Sequence, residues 1–250
     1  MEATALPGKL RPLWSGYLLV FDKQNQPAAY PKNAGIRLLG ACLVLEGLIR
    51  PSIRAGLRGL GSAMNMWTTL AYVTGMLIVA VALTRFVIRA PFPSIGLHGW
   101  KQWEKSEKWF FPQIMVLASV CFAVPLWSEL ALLPKQPDWL RNTLLVFAGQ
   151  MIWGFYQEYV YRGLLQTELV RRCGPVVGIL AGNLIFTFGP LHAYHFWIAA
   201  EDPGHWLIFV SIFAIGFYFS VLFHTSNNLW ITGVLHGLGD FFLDGIAKLR

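Results

Sequence analysis

From Pro203 to Gly239 the chain contains no Asp, Glu, Lys or Arg. In water a run of that length would have to be hidden whole in a core. In a bilayer it can be surface. One crossing takes about 20 residues, so the run is too long for a single span. The polar cluster His224-Thr225-Ser226-Asn227-Asn228 divides it into two segments, roughly 205–223 and 228–247. The rest of the chain agrees. Charged residues are 13% of the 250, against an ordinary share of about a quarter, too few to cover a water-facing surface. Hydrophobic residues reach 55%, aromatic residues 15%, and mean hydropathy is +0.49. So much apolar area demands burial, which excludes intrinsic disorder.

Further charge-free runs predict more spans: Met64 to Thr84, Trp109 to Ser128 with Pro112 and Pro125 near its ends, Asn142 to Gln157, and Gly174 to about Phe196. Ile36 to Ile49 is short and carries Arg37 and Glu46, so it spans, re-enters or lies in the interface. Trp100 to Trp109, with Glu and Lys alternating between tryptophans, reads as an interfacial linker. The expected fold is all-α, a polytopic transmembrane helical bundle of about six to eight spans. The expected organisation is a polar N-terminal segment (1–33), N-terminal membrane helices with an interfacial linker (34–130), and a membrane core (140–247).

The net charge of +7 does not signal nucleic acid. Arg50, Arg54 and Arg58, Arg85 and Arg89, Lys101, Lys105 and Lys108, and Arg171-Arg172 all flank apolar runs. That is the topology signal of short loops, and it suits anionic lipid head groups as partners. If the first short segment spans, the N-terminus is cytoplasmic. Cys42, Cys121 and Cys173 are widely spaced and read as free thiols. Residues 1–33 show no apolar core before a small-residue cleavage site, so no cleaved signal peptide is expected.

An ionisable residue at membrane depth is a functional hypothesis by default. Glu158 and Arg162, in Gln157-Glu158-x3-Arg162-Gly163, lie one helical turn apart and can pair. Taken alone, that pair reads first as a structural pin for its helix. Phe188-Gly189-Pro190-Leu191-His192 predicts a kink that frees backbone groups beside His192. His195 and His205 read as interfacial. His236 and Asp240 share one helix face, while Gly233/Gly237 and Gly178/Gly182 form small-x3-small patterns that let helices approach closely. Asn227-Asn228 before the last segment reads as a helix cap.

Carboxyl groups and two imidazoles converging in a membrane cavity fit hydrolysis. A Glu can deprotonate water, one His can orient it, and the other can stabilise an oxyanion. Metal chemistry fits less well, because there is no His-Glu-x2-His and no local pair of histidine ligands. A transporter reading lacks an inverted repeat.

Three motifs in order on successive segments, Gln157-Glu158-x3-Arg162, Phe188-x3-His192 and His236-x3-Asp240, resemble the CPBP family. These are the CAAX-protease and bacteriocin-processing intramembrane endopeptidases, also called the ABI family. The likeness covers roughly residues 140–247, including the lead-in Asn228-Leu229-Trp230. It implies a metal-independent glutamate endopeptidase without cofactor, cutting near the C-terminus of a membrane-anchored or lipidated protein. It also implies an integral protein of the bacterial inner membrane, or alternatively of the endoplasmic reticulum. By the same likeness, position 157 is the general base and acts with His192. His236 and Asp240 supply the oxyanion site, and Glu158 with Arg162 holds the motif helix. Position 157 is Gln where the pattern has Glu, and position 240 is Asp, which donates a hydrogen bond only when protonated. Gln157 therefore also favours an alternative: a non-catalytic membrane binding or regulatory protein on the same scaffold.

Overall fold

The structure, a computed structural model, describes residues 34–59 and 65–249; the expected polar N-terminal segment lies outside them. Among the described residues the chain is helical with no strand. In order the helices are α1 (Ala34–Val44), α2 (Arg50–Gly59), α3 (Met66–Ala82), α4 (Lys105–Ala123), α5 (Trp127–Leu132), α6 (Trp139–Glu158), α7 (Thr167–Phe188), α8 (Ala193–Glu201), α9 (Leu207–Ser226) and α10 (Leu229–Asp240). Wide π-helical turns join α1 to α2 (Leu45–Ile49) and α6 to α7 (Tyr159–Gln166), and extend α3 (Leu83–Ile88) and α10 (Phe241–Gly245).

Three stretches are long and apolar enough to cross a membrane: Met66–Ile88, Trp139–Glu201 and Pro203–Ser226. The bent pair Lys105–Ala123 with Trp127–Lys135, angled at 81°, adds a fourth if taken as one span. The six clear segments expected from sequence are more numerous, because Trp139–Glu201 contains two of them and the last, roughly 228–247, is not among these stretches: α10 ends at Asp240 and passes into wider and then tighter helical turns. The chain reverses within that stretch at Gly174, whose φ of 79° suits glycine, and Pro175 follows. Beyond the turn a Cβ on Gly178 would strike the backbone at Val170. The expected Gly178/Gly182 approach is therefore the closure of a helical hairpin. Pro125 sits in the three-residue turn that bends α4 into α5.

The site is positioned mainly by α6 against α10. A Cβ on Gly154 would run into the backbone of Gly237, one on Gly237 into that of Met151, and one on Gly233 into the Phe155 ring. The glycines thus let the two backbones touch, which membrane packing favours. Gly154→Ala should pry these helices apart at a cost of about 1–3 kcal/mol. A thermal midpoint in detergent equal to the parent's would show that the contact yields freely.

Two expectations are corrected. The stretch Trp100–Trp109 is more than an interfacial linker, because α4 begins at Lys105 and Glu107 is fully buried. Glu107 accepts from the Asn228 amide at 3.1 Å and from the Glu104 backbone N–H at 2.6 Å. Arg50 is no flanking charge either. It is buried, and it pairs with the buried Glu46 at 2.8 Å.

Candidate active site

Gln157 and Glu158 close α6, Arg162 lies in the π-helical turn, and all three are buried. The His236 Nδ1–H donates to Glu158 Oε1 at 2.8 Å, and Arg162 Nε lies 3.4 Å from Glu158 Oε2. His236 Nε2 is 3.6 Å from Asp240 Oδ1, as the four-residue spacing on α10 anticipates. Gln157 Nε2 donates to Asp240 Oδ2 at 3.1 Å. Five of the six expected residues therefore form one chain, Gln157–Asp240–His236–Glu158–Arg162. The last expected span carries its two members on the face that meets α6.

His192 joins this chain through an aromatic ring. Helix α7 ends at Phe188, and the break at Gly189 and Pro190 frees carbonyls, as the sequence predicts. The Phe186 carbonyl receives His192 Nδ1–H at 2.8 Å. A carbonyl can only accept, so this bond fixes the proton on Nδ1 and leaves Nε2 as the acceptor of a neutral ring. Phe186 stands between the parts of the site. Its ring centroid lies 4.9 Å from that of His192 and 6.1 Å from that of His236, and the Arg162 guanidinium sits 4.1 Å above it. Phe186 is a residue the sequence reading missed.

The polar face behind the site is also ordered. Arg162 Nη2 donates to the Gly216 carbonyl at 2.8 Å, and Gln166 Nε2 to the Ser220 carbonyl at 2.8 Å. Asn228 caps α10 by accepting from Trp230 N–H at 3.1 Å, the expected role, and its bond to Glu107 ties that cap to α4. His195 and His205 bond to each other at 2.8 Å and to neither Glu158 nor Asp240.

A second carboxylate lies behind the motif helix. Tyr156 O–H donates to Glu46 Oε1 at 2.6 Å, and Tyr161 O–H to Glu46 Oε2 at 3.1 Å. Glu46-x3-Arg50 repeats the spacing of Glu158-x3-Arg162, and that repeat was the available sequence signal.

A cavity of about 780 Å³ borders the cluster, lined among others by Arg50, Gln150, Trp153, Leu191 and Tyr194. None of the six expected residues lines it. It approaches them through Leu191, the neighbour of His192, and through Gln150 and Trp153 on the α6 face that leads to Gln157. Among the described residues, no three His, Cys, Asp or Glu side chains are arranged to hold a metal ion.

Comparison with known proteins gives the chain a family. The family profile described as type II CAAX prenyl endopeptidase Rce1-like matches residues 109–242. No curated protein and no solved structure matches the chain. The matched stretch holds all six expected site residues and more than half of the sequence, and it agrees with the resemblance carried by the three motifs. The chain is an integral membrane protein that belongs to the type II CAAX prenyl endopeptidase Rce1-like family, the CAAX-type intramembrane endopeptidases.

Proposed function

We propose that this chain is a glutamate-type intramembrane endopeptidase whose general base has been replaced by Gln157, so that it holds a substrate it cuts poorly. The substrate class is a membrane-anchored protein carrying a prenyl or similar lipid near its C-terminus. The observation that carries this reading is the Gln157–Asp240 contact at 3.1 Å beside a Glu158 that is wholly buried and engaged by both Arg162 and His236. The open side of the cluster is at Asp240, whose side chain is 21% exposed, next to Gln157. Glu158 has 0% exposure and two cationic or hydrogen-bonding partners, which suits a group that orients others. A carboxylate at position 157 would face the accessible side.

With Glu at 157, that carboxylate takes the proton of a water whose oxygen attacks the scissile carbonyl. His192, with its Nε2 lone pair turned outward by the Phe186 bond, orients the water. His236 donates to the oxyanion through Nε2–H as an imidazolium, its Nδ1–H staying on Glu158, and a protonated Asp240 donates beside it. The proton on the base then passes to the leaving amine. The nearby cavity, which reaches toward these residues through Leu191, Gln150 and Trp153, is the proposed approach for the peptide. The membrane this protein occupies is proposed to be the bacterial inner membrane, with the endoplasmic reticulum as the alternative.

The test is cleavage of a C-terminally prenylated reporter by purified parent and Gln157→Glu proteins. The same preparation addresses metal. Glu158, which bonds His236, is already held by Arg162 and is not free to serve as a ligand, so full activity of Gln157→Glu is expected in a chelator. Stoichiometric zinc on elemental analysis, with activity lost to chelation and restored by zinc, would replace this scheme with a metalloprotease.

A further inference from the structure

The Glu46–Arg50 pair lies outside the stretch that matches the family, on a helix the motifs do not include. It nevertheless touches both halves of the site from behind. The Glu46 carboxylate accepts three hydrogen bonds, from Tyr156, Tyr161 and Arg50, at 2.6, 3.1 and 2.8 Å. Tyr156 immediately precedes Gln157, and Tyr161 immediately precedes Arg162. Successive helical residues point about 100° apart. One carboxylate therefore grips the back of the motif helix at two levels and sets its rotation about its own axis. Both ends of this grip involve π-helical turns: Glu46 lies in Leu45–Ile49 and Tyr161 in Tyr159–Gln166. Such turns concentrate at functional sites.

Arg50 carries the grip to the other half. Its Nη2 donates to the Pro190 carbonyl at 2.5 Å, two residues before His192. That carbonyl also receives the Ala193 N–H that closes its short helical turn, so Arg50 adds a second donor and ties the turn to a distant helix. The same short segment is closed by His192 N–H on the Gly189 carbonyl at 3.2 Å. Tyr161 also packs edge-on against Phe186, with centroids 5.2 Å apart, and Phe186 is the ring between the two histidines.

We infer that Glu46 and Arg50 are positioning residues: together they fix the distance between the base position at 157 and His192, and the N-terminal helix is thereby part of the active-site architecture. The inference rests on the proposed peptidase reading for its catalytic consequence. Its geometric content stands apart from that reading. A buried ion pair is weak evidence for stability, since an uncharged, well-packed substitute often serves as well. A purely structural pair should therefore be replaceable by Glu46→Gln with Arg50→Met. That double variant strands no charge and keeps an acceptor for the tyrosines, but it removes the Arg50 donor that ties the Pro190 carbonyl to the N-terminal helices.

The experiment uses the full chain in detergent with three variants: Arg50→Gln, the Glu46→Gln/Arg50→Met double, and Tyr161→Phe. Each is made in the parent and in Gln157→Glu. Hydrogen exchange is read over residues 186–195 and 229–240, alongside thermal midpoint and, wherever the reporter is cut, kcat and KM. Misplacement of about 1 Å can cost on the order of 100-fold in rate. The double variant is expected to keep the parent's midpoint and KM, to lose protection over 186–195 alone, and to lower kcat about 10- to 100-fold. Tyr161→Phe should lower kcat less, without affecting exchange over 229–240. Unchanged exchange over 186–195 in the double variant, or a loss of protection spread evenly over both segments, would overturn the inference. So would a kcat within about twofold of the unsubstituted enzyme. If neither parent nor Gln157→Glu cuts the reporter, the peptidase reading fails, and exchange still decides whether the pair holds the His192 segment.

Discussion

Gln157→Glu is expected to raise cleavage of a lipidated reporter by about 10²–10⁴-fold, the usual contribution of a general base, while leaving substrate binding similar. The amide and the carboxylate are nearly the same shape, and position 157 is already fixed by the rotation of α6 and by contact with Asp240 at 3.1 Å. The exchange therefore alters protonation chemistry far more than packing. An amide cannot take a proton from water at working pH, and the new carboxylate can. It also places two carboxyl groups in hydrogen-bond reach, and such a pair shares a proton readily. That gives Asp240 the proton it needs in order to donate to an oxyanion. The outcome that sinks this assignment is specific: Gln157→Glu cleaves no faster than the parent, and a parent that cleaves at full rate is silenced by Glu158→Gln. Glu158 would then be the base despite its burial.

Arg162→Met should be the most destabilising single change in the site, costing about 3–5 kcal/mol through the buried charge it strands. Glu158 is 0% exposed and Arg162 1%, so neither can recruit bulk water when its partner is lost. Arg162 has two further duties, the bond to the Gly216 carbonyl at 2.8 Å and the stacking on Phe186 at 4.1 Å. Its loss therefore loosens α9 and the ring between the histidines together. Adding Glu158→Gln to Arg162→Met removes the stranded charge and should recover much of the loss in thermal midpoint, though not activity. A single Arg162→Met variant that melts with the parent would mean the pair contributes nothing to stability.

The parts of this arrangement written in local spacing were legible in the sequence. Glu158 and Arg162, His236 and Asp240, and the break at Gly189 and Pro190 each depend on residues within one or two turns, and the structure has all three. What could not be read was which distant helix each group would meet. Glu46 looked like a stray charge in a segment too short to place, because its partners Tyr156 and Tyr161 lie more than a hundred residues away. Glu107 was lost among alternating lysines for the same reason, since its partner is Asn228. The π-helical turn at Tyr159–Gln166 has no composition of its own. It gains its stability from the surrounding helices, and it changes which face every later side chain presents. Phe186 was passed over because one more phenylalanine in an apolar helix carries no signal until its neighbours are known.

Glu46 with Arg50, Glu158 with Arg162, and Glu168 with Arg171 and Arg172 share a property that matters before the bundle exists. Each acid has its arginine within a turn of the same helix. A nascent helix leaving the ribosome cannot wait for a partner that has not been synthesised, and a lone charge at the bilayer centre costs about 2.5–3.5 kcal/mol on insertion scales. Here Glu46–Arg50 and Glu158–Arg162 can each pass into lipid as a neutral pair, and Glu168 enters already matched by its own arginines. The later encounters, Glu46 with Tyr156 and Glu158 with His236, then ask the assembling helices only to trade hydrogen bonds. Biogenesis and chemistry thus lean on the same four-residue spacing: the pairs that keep the finished site in register are the ones that let its helices enter the membrane one at a time.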